Sequence, residues 1–317
     1  MTGIVACDLS NKGDTDETDD IPREVVFSMV DDSENENHQI YVMDINGANL
    51  KQLTFFENEE AFQPSWSSDG TQIVFTTSLE SSSLGLSIFL MNADGTNVRP
   101  MKTFVNPSFD FVQPGSNPRW SPDGTKITFQ WCVNCEIGGR NTEIFVYDFL
   151  KDSIFQFTNH YADDKAPDWS QYGSKILFGS NRSGPDSQDV GEGYNLFEID
   201  IITQELKQIT DSDLVASWVW NPNNNSFIIQ ETGPNSNLYA LDAETVDTVS
   251  NTDLTTSPDL SQFRAVKWSQ KGNYLLLYYS GNNTPEYYFY NKDTDETNKL
   301  PIPNQFLGVD LIETDSL

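Results

Sequence analysis

Trp131-Cys132-Val133-Asn134-Cys135 sets two thiols three positions apart, the spacing of half a zinc site or of a redox pair. A tetrahedral zinc site needs a second pair, and the chain offers only Cys7 and two histidines, His38 and His160. A redox-active Cys-x-x-Cys opens a helix in a βαβ setting, and no helical periodicity surrounds this one. The expected state is a disulfide between Cys132 and Cys135 that ties a loop, formed in an oxidising compartment. No metal and no cofactor are expected.

Other chemistries find little support. There is no Gly-x-Ser-x-Gly elbow, no His-Glu-x-x-His and no glycine loop that could cradle a phosphate. Two histidines leave few partners for a serine or cysteine nucleophile. Glycoside cleavage asks only for two suitably separated carboxylates, and 48 acids supply many. Spacing selects no pair among them. The runs Asp14-Thr15-Asp16-Glu17 and Asp293-Thr294-Asp295-Glu296 lack the glycine and distal glutamate of a calcium loop, so they read as solvated acidic turns.

A formal charge of −30, from those 48 acids against 18 bases, excludes nucleic acid, whose phosphates call for Lys and Arg. It equally disfavours docking on anionic headgroups; acidity of this kind serves solubility. The amino terminus carries Ile4-Val5-Ala6-Cys7, the shape of a bacterial lipobox, although only six residues precede the cysteine. Lipidation of Cys7 is expected in the natural protein. Residues 1–20 read as a disordered acidic tether with too little apolar surface to fold.

The elements that position everything else come from a repeat. Pro64-Ser65-Trp66-Ser67-Ser68-Asp69-Gly70 returns as Pro118-Arg119-Trp120-Ser121-Pro122-Asp123-Gly124, then in worn form around Trp169, Trp220 and Trp268. The steps between these tryptophans are 54, 49, 51 and 48 residues, the period of stacked units that cannot bury their faces alone. Each unit has four apolar phrases, the first holding the tryptophan and the third ending in Asp or Asn. Asp-Gly and related pairs between the first two mark hairpins. Four short strands per unit, packed radially, make a β-propeller.

Residues 24–28 look like a second strand with no first strand before it, and residues 306–312 remain unpaired at the other end. The expected fold is therefore all-β, a six-bladed β-propeller of four-stranded antiparallel blades over residues 21–317, closed by pairing of the amino- and carboxy-terminal strands. The tryptophans are expected to pack between blades. Inner-strand neighbours Arg119 and Asp168 are expected to form an inter-blade ion pair.

The phrases at 40–54 and 64–75 resemble the TolB-like (PD40, WD40-like) repeat family, and Ser180-Asn181-Arg182-Ser183-Gly184 fits the same pattern. The resemblance covers about residues 23–300. It implies a propeller in the periplasm or at the outer membrane of a Gram-negative cell that binds proteins or envelope components at a channel mouth. Departures limit what it carries: the extra α/β domain of the Tol-system protein is not matched, so its specific partners are not implied. The histidine-rich metal site of related oligogalacturonate lyases is not matched either.

Turns after first and third strands are tight, whereas the opposite face has long loops at 30–38, 102–116, 132–140, 180–194 and 251–263. Long loops on a rigid scaffold are where binding groups collect. The candidate ligand-binding residues are Phe104, Phe109, Phe111, Trp131, Tyr161, Arg182 and Trp218. The functional expectation is a monomeric, non-catalytic binding or scaffolding propeller, tethered by a lipid at Cys7, that engages an envelope protein or glycan at the long-loop face. The alternative is a polysaccharide lyase or hydrolase using channel carboxylates. A purely structural subunit of an outer-membrane assembly is a third reading.

Overall fold

The tight turn after each tryptophan converts the repeat into sheets. In the first copy, Asp69 Oδ1 accepts hydrogen bonds from Ser67 Oγ (2.6 Å) and Thr71 N (3.0 Å), while Ser67 Oγ accepts from Gln72 N. Gly70 takes φ of +69°, a conformation that a side chain disfavours. Ser121, Asp123 and Gly124 repeat the arrangement. Burial works against ionisation of Asp69, yet the Ser67 and Thr71 bonds prevail and hold its carboxyl below the ordinary range.

The computed structural model describes residues 25–30, 37–78, 86–101, 115–133, 141–185, 187, 189–213, 215–223, 226–231, 238–242, 245, 248–249, 263–269, 272–279, 286–292, 294, 296–302 and 306–312. Among them lie six four-stranded antiparallel sheets, each one blade. Blade two is β4 (Ala61–Trp66), β5 (Gln72–Ser78), β6 (Leu86–Asn92) and β7 (Arg99–Pro100), from channel to rim. Blade three runs β8 (Gly115–Trp120), β9 (Lys126–Cys132), β10 (Thr142–Asp148) and β11 (Ser153–Gln156). Blade four is β12 (Asp164–Trp169), β13 (Lys175–Arg182), β14 (Val190–Asp200) and β15 (Leu206–Gln208). Blade five is β16 (Val215–Trp220), β17 (Ser226–Glu231), β18 (Leu238–Asp242) and β19 (Thr248–Val249). In blade six come β20 (Phe263–Trp268), β21 (Tyr274–Tyr279), β22 (Glu286–Asn291) and β23 (Glu296–Lys299).

Blade one is built from both ends of the chain. Its order is β24 (Phe306–Leu311), β1 (Val25–Val30), β2 (His38–Met43) and β3 (Lys51–Gln52). β24 pairs with β1 through Val25↔Leu311, Val26↔Asp310 and Phe27↔Val309. The expected closure is therefore what the structure has.

The core is divided among the six seams. Trp66 packs between blades one and two, Trp169 between three and four, Trp220 between four and five, and Trp268 between five and six, each at most 6% exposed. Trp120 is only half-buried at the second seam, stacked on Phe149. At the sixth seam Leu311 stands in the tryptophan register, beside Val309, Phe27 and Leu276.

One expectation about loops needs revision. The 180–194 stretch is mostly hairpin, because β13 and β14 extend until Arg182 pairs with Val190. Arg182 is thus a strand residue. Residues 1–20, with Cys7 and the acidic tether, lie outside the described residues.

Candidate functional site

Each inner strand places one side chain into the channel just before its tryptophan, since neighbours along a strand point to opposite sides. Around the ring these are Ser65, Arg119, Asp168, Val219, Lys267 and, from β24, Asp310. Two cations and two anions stand at one level. Lys267 Nζ bonds Asp310 Oδ2 at 2.8 Å and reaches Ser65 Oγ at 3.4 Å.

The two aspartates stitch blades together. Asp310 Oδ2 accepts from Trp66 N of the next blade at 2.8 Å, and Oδ1 from Leu311 N at 2.8 Å. Asp168 does the same, with Trp220 N on Oδ2 at 3.3 Å and Trp169 N on Oδ1 at 3.1 Å. The expected ion pair between Arg119 and Asp168 is absent: among the described residues no nitrogen of Arg119 lies within 4.0 Å of an Asp168 oxygen. Asp168 spends both oxygens on backbone N–H groups, and the Arg119 guanidinium instead donates to Pro118 O at 2.9 Å. Burial pushes the Asp168 carboxyl up, opposed by the charges of Lys267 and Arg119.

Arg119, Asp168 and Lys267 line two cavities and so form the partition between them. One of about 270 Å³ opens among the tight turns, walled by Trp66, Trp120, Ser121 and Pro222. The other, of about 170 Å³, lies toward the long-loop side against Ala166, Ala216, Ser217 and Trp218. Trp218 is fixed there by its indole N–H, which donates to Ala166 O at 3.1 Å.

The candidate ligand-binding residues do not come together as one patch. Trp131 is 5% exposed and packs on Phe129 and Phe145 in the seam between blades two and three, because it points inward from β9; it is a core residue. Arg182 is also corrected: 4% exposed, it is ion-paired with buried Asp164. Trp218 lines the smaller cavity, and Tyr161 is 78% exposed on the long-loop side, edge-on to His160. Phe104, Phe109 and Phe111 lie outside the described residues, as does Cys135. Cys132 is disulfide-bonded. No cluster of metal-ligating side chains occurs among the described residues. Asp310 escaped the sequence reading, although the register of Leu311 with the tryptophans was the available signal.

No known family profile and no curated protein matches the chain. Solved structures do. TolB from Acinetobacter baumannii superimposes with a TM-score of 0.66 at 16% identity, over 92% of this chain and 67% of that one. The fold is that of a TolB-like β-propeller. A nidogen/laminin complex matches with a TM-score of 0.60 at 8% identity, over 90% of this chain and 97% of that chain. An oligogalacturonate lyase in complex with manganese matches at 0.51 and 10% identity, over 87% of this chain and 72% of that one. Identities so low speak for the fold alone.

Proposed function

We propose that the protein is a non-catalytic binding propeller of the bacterial cell envelope, acting as a monomer tethered through Cys7, which holds a protein or glycan segment at the tight-turn mouth of its channel rather than at the long-loop face expected from the sequence. The observation that carries this reading is the 270 Å³ cavity floored by Arg119 and Lys267 beside Asp168 and Asp310. Concave sites with a few convergent polar groups are where ligands dock. The half-buried Arg119 has five donors, of which the only side-chain bond described is the one to Pro118 O. The rival reading, a polysaccharide lyase or hydrolase, needs free channel carboxylates, yet all four oxygens of Asp168 and Asp310 already accept backbone hydrogens.

A photo-crosslinking residue at Gln171, on the wall of the larger cavity, tests the reading in envelope extract. One discrete adduct is expected, weakened about tenfold by Arg119→Gln and absent when the probe sits at exposed Leu150. Cleavage of a polysaccharide that vanishes in Asp168→Asn, with no adduct, would replace it by the enzyme.

A further inference from the structure

Three blades carry the same polar staple in the third strand, and one of them builds it from an acid. In blade one, Gln39 accepts from Thr54 Oγ1 (2.8 Å) and Phe56 N (3.1 Å). In blade four, Asn195 accepts from Thr210 Oγ1 (3.3 Å) and Asp213 N (3.0 Å). Blade three uses Glu143, whose Oε2 takes Thr158 Oγ1 and whose Oε1 takes His160 N, both at 2.6 Å. A neutral amide performs this task twice. The ionisable group at 143 therefore adds something the architecture does not require.

Its surroundings show what. β12 brings Asp164, fully buried, and β13 brings Arg182, ion-paired with Asp164 and held through Nε by Ser180 Oγ at 2.9 Å. β9 sets Trp131 opposite Glu143 and no charge at that level. From the connection after β11 come His160 and Asp163. The His160 ring is engaged on both nitrogens, by Ala162 N at 2.8 Å and Ser187 O at 2.6 Å. Asp163 accepts from Thr142 N and Oγ1, and Lys165 of β12 lies over the Tyr194 ring. Of the two buried carboxyls, Asp164 holds the guanidinium in an ion pair, and Glu143 feels its charge without a bond to it. Asp164 Oδ1 is buried with no hydrogen-bond partner among the described residues, an acceptor that a protonated carboxyl could satisfy.

We infer that this cluster is a proton-operated latch: one exchangeable proton, carried by Glu143, tightens the junction of blades three and four as the surroundings acidify. Only a proton moves, from solvent to a carboxylate oxygen. Tyr161, 78% exposed, directly follows the His160 that Glu143 holds, so the latch sets the pH range in which that part of the long-loop side is held. The electrostatics agree with the geometry. Burial pushes Glu143 up to about 7, with Asp164 adding to it, while the Thr158 and His160 bonds and Arg182 pull the other way. The folded value thus exceeds the ordinary 4.5, so this stability is complete below about 4.5 and is lost as pH rises through about 7.

Thermal melts of the full chain at about pH 5.5 and about pH 8 test the latch. The wild type should melt lower at the higher pH, by about 2 °C or more. Glu143→Gln, which copies Gln39, should show a clearly smaller fall and melt above the wild type at about pH 8. An equal fall in both proteins overturns the inference; because Asp168 titrates in the same direction, the comparison isolates Glu143. Should the variant fail to fold, infrared spectra of Asp168→Asn decide. A protonated-carboxyl band present at the lower pH and gone at the higher supports the latch, and its absence at both overturns it.

Discussion

At Asp310 one side chain serves two blades. It is 1% exposed, accepts the Trp66 and Leu311 N–H groups, and neutralises Lys267. Removing it strands two backbone donors and a half-buried ammonium together. The cost of such a loss comes mainly from the groups left behind. Asp310→Ala should therefore lower stability by about 3 kcal/mol. Asp310→Ala with Lys267→Met should recover part of that, because the uncompensated cation is gone. Chemical denaturation of the two single variants and the double variant measures the coupling; additive losses would show that the ion pair contributes nothing. The contrast with Arg119 and Asp168 is instructive. Side-chain charge and matching inner-strand positions on neighbouring blades suggested a pair there, but the Asp168 oxygens take the backbone N–H groups of Trp169 and Trp220 while Arg119 turns to Pro118 O.

Strands show the same competition between pattern and packing. Gly179 lies in the middle of β13, and a Cβ there would sit 2.2 Å from the Trp218 ring of the next blade. That ring cannot simply swing away, since its N–H is bonded to Ala166 O. Gly179→Ala should cost about 1–3 kcal/mol by overpacking and should alter tryptophan fluorescence as the indole is displaced. An unchanged melt and spectrum would mean that the seam between blades four and five is slack. The sequence announced the elements through local chemistry: the Ser-x-Asp-Gly turns, the tryptophan period and the unpaired 306–312 strand are each legible because adjacent residues produce them. Arg182 and Trp131 were misplaced for the opposite reason. A hairpin extension at Arg182↔Val190 and the inward aim of Trp131 depend on partners far along the chain. The kinship of Gln39, Glu143 and Asn195 was hidden too, because it is a shared position with three different side chains.

For the molecule as a whole, the decisive seam is the one between blades six and one. Five seams carry a tryptophan; this one has Leu311 and Val309 packed on Phe27 and Leu276. Its blade is held by β24 pairing with β1, a contact that joins the two ends of the chain. Long-range pairing of this kind gives no reward until loop-closure entropy has been met. Removing residues 306–317 would take away the innermost strand, expose the β1 edge, and delete Asp310 from the channel ring. The truncated chain should then melt well below the parent, over a broader transition, and should aggregate through that edge. A melt matching the full chain would refute closure by β24. A permuted chain separates closure from simple loss of mass. It would join residue 312 to residue 25 through a flexible linker and open at 57–60, between blades one and two. All six sheets remain in that chain and only the covalent break moves, so it should fold and melt cooperatively. If it does not, order of synthesis rather than ring closure governs how this propeller forms.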